Sequence, residues 1–164
     1  MKYFFPLLLL VFAACSGQTY YIVRHAEKAT QAANMSSDVP LSEKGKQRAE
    51  ALKEILKNKK IRYIFSTNTI RTRSTAQPLA DQLGLKIETY GPAPDPAFIN
   101  KLRSLKKNAL IIGHSNTVDD IVNMLCKRKE VPGDLPDSAY SKLFIVTVKG
   151  KKTSFKEEHI PAHN

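Results

Sequence analysis

The run Ala109-Leu110-Ile111-Ile112-Gly113 constrains the fold of this chain more than any other stretch. It is short and wholly apolar, with no polar residue to face water, and so reads as a strand buried on both faces, as in a parallel sheet. A strand of that kind needs helices packed over it, and the neighbouring sequence supplies them. Thr19 to Val23, Ile61 to Phe65 and Lys86 to Tyr90 are further β-rich runs. Between them lie helical patterns: one capped by Ser42 and running to about Lys57, one from Thr69 to Leu83 stopped by Gly84, one from Pro96 to Leu105, and one from Thr117 to Leu125. Pro78 is expected to kink the second helix or split it. Lys142 to Lys149 and Thr153 to Glu158, parted by Gly150, read as a closing hairpin. Strands alternating with helices predict an α/β fold: a three-layer α/β/α sandwich with a largely parallel central sheet. No internal repeat or low-complexity linker interrupts it, so one domain over residues 18–164 is expected.

The first fourteen residues do not fit that domain. One cation at Lys2 precedes an apolar stretch from Phe4 to Phe12, and Ala13-Ala14-Cys15 then meets polar Ser16-Gly17-Gln18. This is the layout of a secretory signal, and the apolar run is far short of the roughly 20 residues of a membrane span. Small residues directly before a cysteine resemble the lipobox of bacterial lipoproteins, with Phe12 departing from that family's usual leucine. The resemblance implies acylation of Cys15 and an exported, periplasmic or cell-envelope location, held to the membrane only through that anchor. Cleavage near Ala14 with Cys15 left bare is the other reading. Cys126 then has no partner for a disulfide and reads as a small buried hydrophobe near a helix end.

The chain carries a net charge of +11. Its lysines gather in runs at element ends: 57–60, 106–107, 127–129 and 149–152. Solvated surface, attraction of anionic substrates, anionic lipid and nucleic acid all suit such runs. No aromatic residues interleave with them and tryptophan is absent, which argues against nucleic acid.

In open α/β sheets, sites form at the carboxyl ends of the strands. Arg24-His25-Ala26-Glu27 follows the first strand, Ser66-Thr67-Asn68 and then Arg71 follow the second, and His114-Ser115-Asn116 follows the buried run. Each residue has an ordinary structural alternative: a surface ion pair for Arg24, a solvated helix start for Arg71, a satisfied histidine or a helix cap for His25 and His114. If the strand ends are adjacent, however, two arginines and two histidines converge on a positive, donor-rich pocket suited to a phosphoryl group. The backbone at the start of the Arg71 helix is expected to add donors.

Arg24-His25-Ala26-Glu27, then Ser66 with Arg71, Thr75 and Ala76, then Gly113-His114-Ser115-Asn116, resemble the ordered signature of the histidine phosphatase superfamily, also called phosphoglycerate mutase-like. The short length and Ala26 make the chain most similar to the small bacterial phosphohistidine phosphatase branch. The resemblance implies that His25 is the nucleophile, transiently phosphorylated. It implies that Arg24 and Arg71 clamp the phosphate, and that His114 is the second histidine of the phosphate pocket, with Asn116 beside it in binding substrate. It implies no cofactor and no metal, and adjacent arginines would repel a cation. The reaction expected is hydrolysis of phosphomonoesters or phosphohistidine on a small molecule or phosphoprotein. Phosphoglycerate mutase-type transfer and a non-catalytic phosphate-binding lipoprotein with a vestigial site are the alternatives.

One role stays unfilled. Relatives carry a proton donor as a glutamate after the third strand or an aspartate beside the second histidine, and here Ser115 takes the latter place. Glu88, Asp95 and Glu27 are the candidates, each with a plain surface carboxylate as its alternative. With no donor, good leaving groups would be favoured.

Overall fold

The computed structural model describes residues 17–30 and 38–161. The expected leader over residues 1–14, Cys15 and His163 lie outside the described residues.

The described chain forms β1 (Gln18–Arg24), α1 (Glu43–Leu56), β2 (Ile61–Ser66), α2 (Ile70–Leu83), β3 (Ile87–Thr89), α3 (Pro96–Leu105), β4 (Asn108–Gly113), α4 (Val118–Cys126), β5 (Lys142–Lys149) and β6 (Lys152–His159). Local chemistry sets the helix ends. The Ser42 side chain accepts from Gly45 N, Thr69 from Thr72 N and Asp95 from Phe98 N. Gly84 closes α2 at φ 62°, a left-handed conformation that costs glycine little. Pro78 does not split the second helix, since α2 continues through it. The residue whose carbonyl loses its partner is Ser74, half-exposed on that helix, so water can take over the bond.

The six strands pair in the order β3-β2-β4-β1-β5-β6. β3, β2, β4 and β1 run parallel, while β5 is antiparallel to both β1 and β6. Side chains alternate across the sheet and feed two cores. Tyr20, Ile22, Phe65, Ile111 and Phe144 pack beneath α3 and α4. Tyr21, Val23, Ile64, Leu110 and Ile112 pack beneath α1 and α2. That is the expected α/β/α sandwich, and the β4 run is buried on both faces as its composition requires. Cys126 ends α4, buried.

The connections decide where a site can form. β1 leads into α1 on one face of the sheet, and its neighbour β4 leads into α4 on the other. Adjacent strands whose connections depart to opposite faces leave a crevice between their carboxyl ends. Arg24 lies opposite Gly113 in register, so residues 25 and 114 leave the sheet side by side.

Candidate active site

A cavity of about 350 Å³ opens at that crevice, lined by Arg24, His25, Arg71, His114 and Asn116 together with Lys28, Ser115 and Asp137. All five residues expected there from the sequence therefore meet in one place.

His25 is buried, its backbone N–H donating to Gly113 O at 3.0 Å. Its Nδ1 lies 2.8 Å from the carbonyl oxygen of Ala26, which can only accept, so Nδ1 carries the proton and Nε2 is the bare nitrogen. Burial pushes the pKa of His25 down to about 4; the Ala26 bond opposes that, and Arg24, Arg71 and His114 add to it. The ring is neutral at neutral pH. The loop behind it is fixed from two sides. Ala26 N donates to Thr75 Oγ1 at 2.9 Å, and Thr75 donates to Arg71 O at 2.8 Å. On the other side Gly45 lies so close that a Cβ there would come within 2.1 Å of Glu27 O.

The Arg24 guanidinium lies 4.2 Å above the Tyr140 ring, and Nη1 donates to the carbonyls of Pro136 and Asp137, both at 3.1 Å. Its Nη2 meets Asp137 Oδ1 at 3.4 Å, and its buried Nε has no partner. Arg71 Nη1 lies 3.4 Å from Asp38 Oδ1. The same carboxylate accepts from Ile70 N, so that backbone donor at the start of α2, expected to face the pocket, is already engaged.

The rings of His114 and His25 meet edge-on with centroids 5.6 Å apart. His114 Nε2 lies 2.8 Å from Thr67 Oγ1, whose own proton goes to Thr72 Oγ1 at 3.1 Å. A hydroxyl has one proton to give, so His114 Nε2–H donates to Thr67 and Nδ1 is bare. Burial, then Arg71 and Arg24, lower the pKa of His114, with Asp38 opposing. It is a neutral imidazole at neutral pH rather than an imidazolium.

None of the three expected proton donors lines the cavity. Glu27 is held by Arg48 through two bonds of 2.8 and 2.6 Å. Burial raises its pKa, but those bonds outweigh it and the net shift is downward. Asp95 caps α3, and Glu88 pairs with Lys101 at 2.8 Å. The carboxylate that does line the cavity is Asp137, 99 % exposed at its side chain, in the loop between α4 and β5. Sequence reasoning passed over it, and over Lys28 and Tyr140, and gave Thr67 no role of its own. The one signal was Pro136-Asp137 in a turn-rich stretch, a weak one. His159 ends β6, exposed and away from the site.

Residues 20–91 match the sequence model of the histidine phosphatase superfamily (branch 1). The probable phosphoglycerate mutase GpmB of Yersinia pestis is 38% identical over 72 residues, 42% of this chain. The match spans about a third, 34%, of that relative's length. Among solved structures, the protein histidine phosphatase SixA complexed with tungstate superposes with a TM-score of 0.68 at 24% identity, over 86% of this chain and 96% of that one. A mycobacterial glucosyl-3-phosphoglycerate phosphatase superposes with a TM-score of 0.61 at 13% identity, over 90% and 100%. Those likenesses carry the fold through the stretch beyond residue 91, where His114 lies. Residues 20–91 thus match the sequence pattern of the histidine phosphatase superfamily, and the whole described fold is the one these solved histidine phosphatases share.

Proposed function

We propose that this protein is a metal-independent phosphatase that passes a phosphoryl group through Nε2 of His25. The observation that carries the reading is geometric: Nδ1 of His25 is bonded to the Ala26 carbonyl, which leaves Nε2 bare, and the ring lines a cavity with Arg24, Arg71 and His114. Nε2 attacks phosphorus, the bond to the leaving group breaks, and the leaving group departs with its electron pair and takes up a proton. Water then attacks phosphorus, the P–N bond breaks back onto Nε2, and inorganic phosphate leaves. Phosphoryl transfer asks mainly for positioning and charge stabilisation, which the two guanidiniums supply. Lys28 adds a third cation, and Asn116 a neutral amide for the substrate. SixA was solved with tungstate, a tetrahedral oxyanion, and the donor set here suits the same shape.

The substrate class follows from the missing donor. With Glu27, Glu88 and Asp95 engaged elsewhere, leaving groups that need little help are favoured, such as the imidazole of a phosphohistidine or an aryl oxide. We further propose that the mature chain begins at an acylated Cys15, outside the cytoplasm.

Incubation with p-nitrophenyl phosphate and with a phosphohistidine peptide, rapid quenching, and assay for an acid-labile, base-stable phosphoryl adduct test the reading. The wild type should form the adduct and turn over, and His25→Asn should do neither. Turnover equal in the variant would overturn the mechanism. Phosphate retained on an isomerised phosphoglycerate would favour the mutase alternative. Mass spectrometry of the N-terminal peptide from membranes tests the anchor.

A further inference from the structure

The carboxyl ends of the parallel strands carry the cavity. Their amino ends, on the opposite side of the molecule, carry something else. Lys60, Arg62, Lys106 and Lys107 surround a shallow cavity of about 240 Å³ together with Gly17 and Asn108. Lys60 precedes β2, while Lys106 and Lys107 precede β4, so the two strands' starts bring them together. Beside them, Gln18 pairs with Val148, which places the β5–β6 turn, with Lys149, Lys151 and Lys152, at the same end of the sheet. All seven side chains are exposed, and among the described residues no ion pair reaches any of them. Some lysines elsewhere do pair, Lys46 with Glu43, Lys101 with Glu88 and Lys142 with Glu157.

We infer that this basic end of the sheet is a docking face for a membrane surface rich in anionic phospholipid headgroups. Its position argues for that occupant. Gly17, at the centre of the cations, follows Cys15 by two residues, so an acyl chain on Cys15 would bring this end and no other against the bilayer. Cations within a Debye length of an anionic leaflet are then attracted to it, about fivefold in partitioning per lysine. The cavity with His25, at the far end, would face away from the lipid. Nucleic acid is the less favoured occupant. No tyrosine or phenylalanine of the described residues is exposed, so the face lacks the rings on which unpaired bases stack. The inference takes its occupant from the proposed anchor, but the attraction itself needs no acyl chain and is independent of catalysis.

The full chain carrying Cys15→Ser, which cannot be acylated there, is the material for the test. Its flotation would be measured with vesicles of phosphatidylcholine alone and of equal parts phosphatidylcholine and phosphatidylglycerol, at low and high salt. The apolar stretch contributes equally to both vesicles, and Lys2 is common to every variant, so the differences between variants read the charge of this face. We expect a salt-sensitive preference for the anionic vesicles. Lys107→Glu with Lys151→Glu should reduce it on the order of a hundredfold or more, since each change removes one attraction and adds one repulsion. Lys44→Glu with Lys46→Glu, the same charge change at the cavity end, should leave most of it. Both double variants should keep wild-type turnover of p-nitrophenyl phosphate, which shows them folded. Equal binding to both vesicles, or equal loss in the two variants, would overturn the inference. So would duplex DNA displacing the chain from anionic vesicles with the same sensitivity to Lys107 and Lys151, which would assign the face to nucleic acid instead.

Discussion

Replacing His25 by asparagine should make the protein more resistant to acid while abolishing its chemistry. Unfolded, the imidazole titrates near its ordinary 6.5; folded, it titrates near 4, first because it is buried and then because Arg24, Arg71 and His114 face it. Between those values the unfolded chain binds a proton that the folded chain refuses, so unfolding free energy rises with pH through this window. Stability is therefore intact above about pH 6.5 and is lost as pH falls toward 4. Each pH unit is worth about 1.4 kcal/mol for a fully refused proton, so the loss amounts to about 3 kcal/mol, a large fraction of a typical domain's stability. His114 shifts in the same direction and adds to it. In His25→Asn the amide nitrogen can still donate to Ala26 O, but the titration is gone. Urea unfolding at pH 7, 5.5 and 4.5 would be compared between the two proteins. Loss from Glu27 protonation is common to both and cancels in the difference. Between pH 7 and 4.5 the gap between the curves should move by about 2.4 kcal/mol in favour of the variant. Curves that decline in parallel from pH 7 to 4.5 would show that His25 titrates normally, and the account of its neutral state would be wrong.

Four further outcomes are expected. Asp137→Asn removes the carboxylate on Arg24 Nη2, a place a phosphate oxygen would take; because Asp137 is 99 % exposed, the inhibition constant for inorganic phosphate should fall only about two- to fivefold. Thr67→Val removes the acceptor of His114 Nε2–H, and kcat/KM should drop about fivefold, for roughly 1 kcal/mol, with the far-ultraviolet dichroism unchanged. Gly45→Ala forces a Cβ to 2.1 Å from Glu27 O, a backbone atom that cannot swing aside, so melting should show a loss on the order of 2–3 kcal/mol together with lower turnover. Glu27→Gln leaves Arg48 buried without its partner and should cost about 3 kcal/mol or more in urea unfolding, while the relative rates on aryl and alkyl phosphates stay as they were; a selective loss of alkyl turnover would restore Glu27 as proton donor.

The layer order was legible because β4 has no solvent-facing residue and because caps and stops are local: Ser42 and Gly84 work within a few residues of themselves. The convergence of Arg24, His25, Arg71, His114 and Asn116 was legible for a different reason, since each follows the end of a parallel strand and those ends share one side of the sheet. What escaped was whatever depends on a pairing across the fold. Glu27 reads as a candidate acid next to His25, and only the approach of α1 reveals Arg48 gripping it. Asp137 lies in a loop whose path no periodicity describes, and it reaches Arg24 across 113 residues. Thr67 looked like one hydroxyl among several until His114 was found 2.8 Å from it. Pro78 misled because the penalty of a helical proline depends on whether water can reach the orphaned carbonyl.

The distribution of charge around His25 bears on why the proposed reaction would discriminate by leaving group. Arg24, Arg71 and Lys28 surround the cavity with permanent positive charge, and both histidines are held neutral. Such a field stabilises a dianionic phosphoryl group as it moves toward Nε2, whatever it leaves behind. It gives no proton to the departing atom. The carboxylate on hand, Asp137, accepts from Arg24 and stands in solvent, where its geometry is set by that contact rather than by the leaving group. An alkoxide must then depart nearly unassisted, whereas an aryl oxide or an imidazole carries its own stability. On this reasoning the logarithm of kcat/KM should fall steeply as the leaving group's pKa rises across a series of aryl and alkyl phosphates. A flat dependence would mean that a proton is delivered after all, and Asp137→Asn, measured on the alkyl members alone, would show whether Asp137 delivers it.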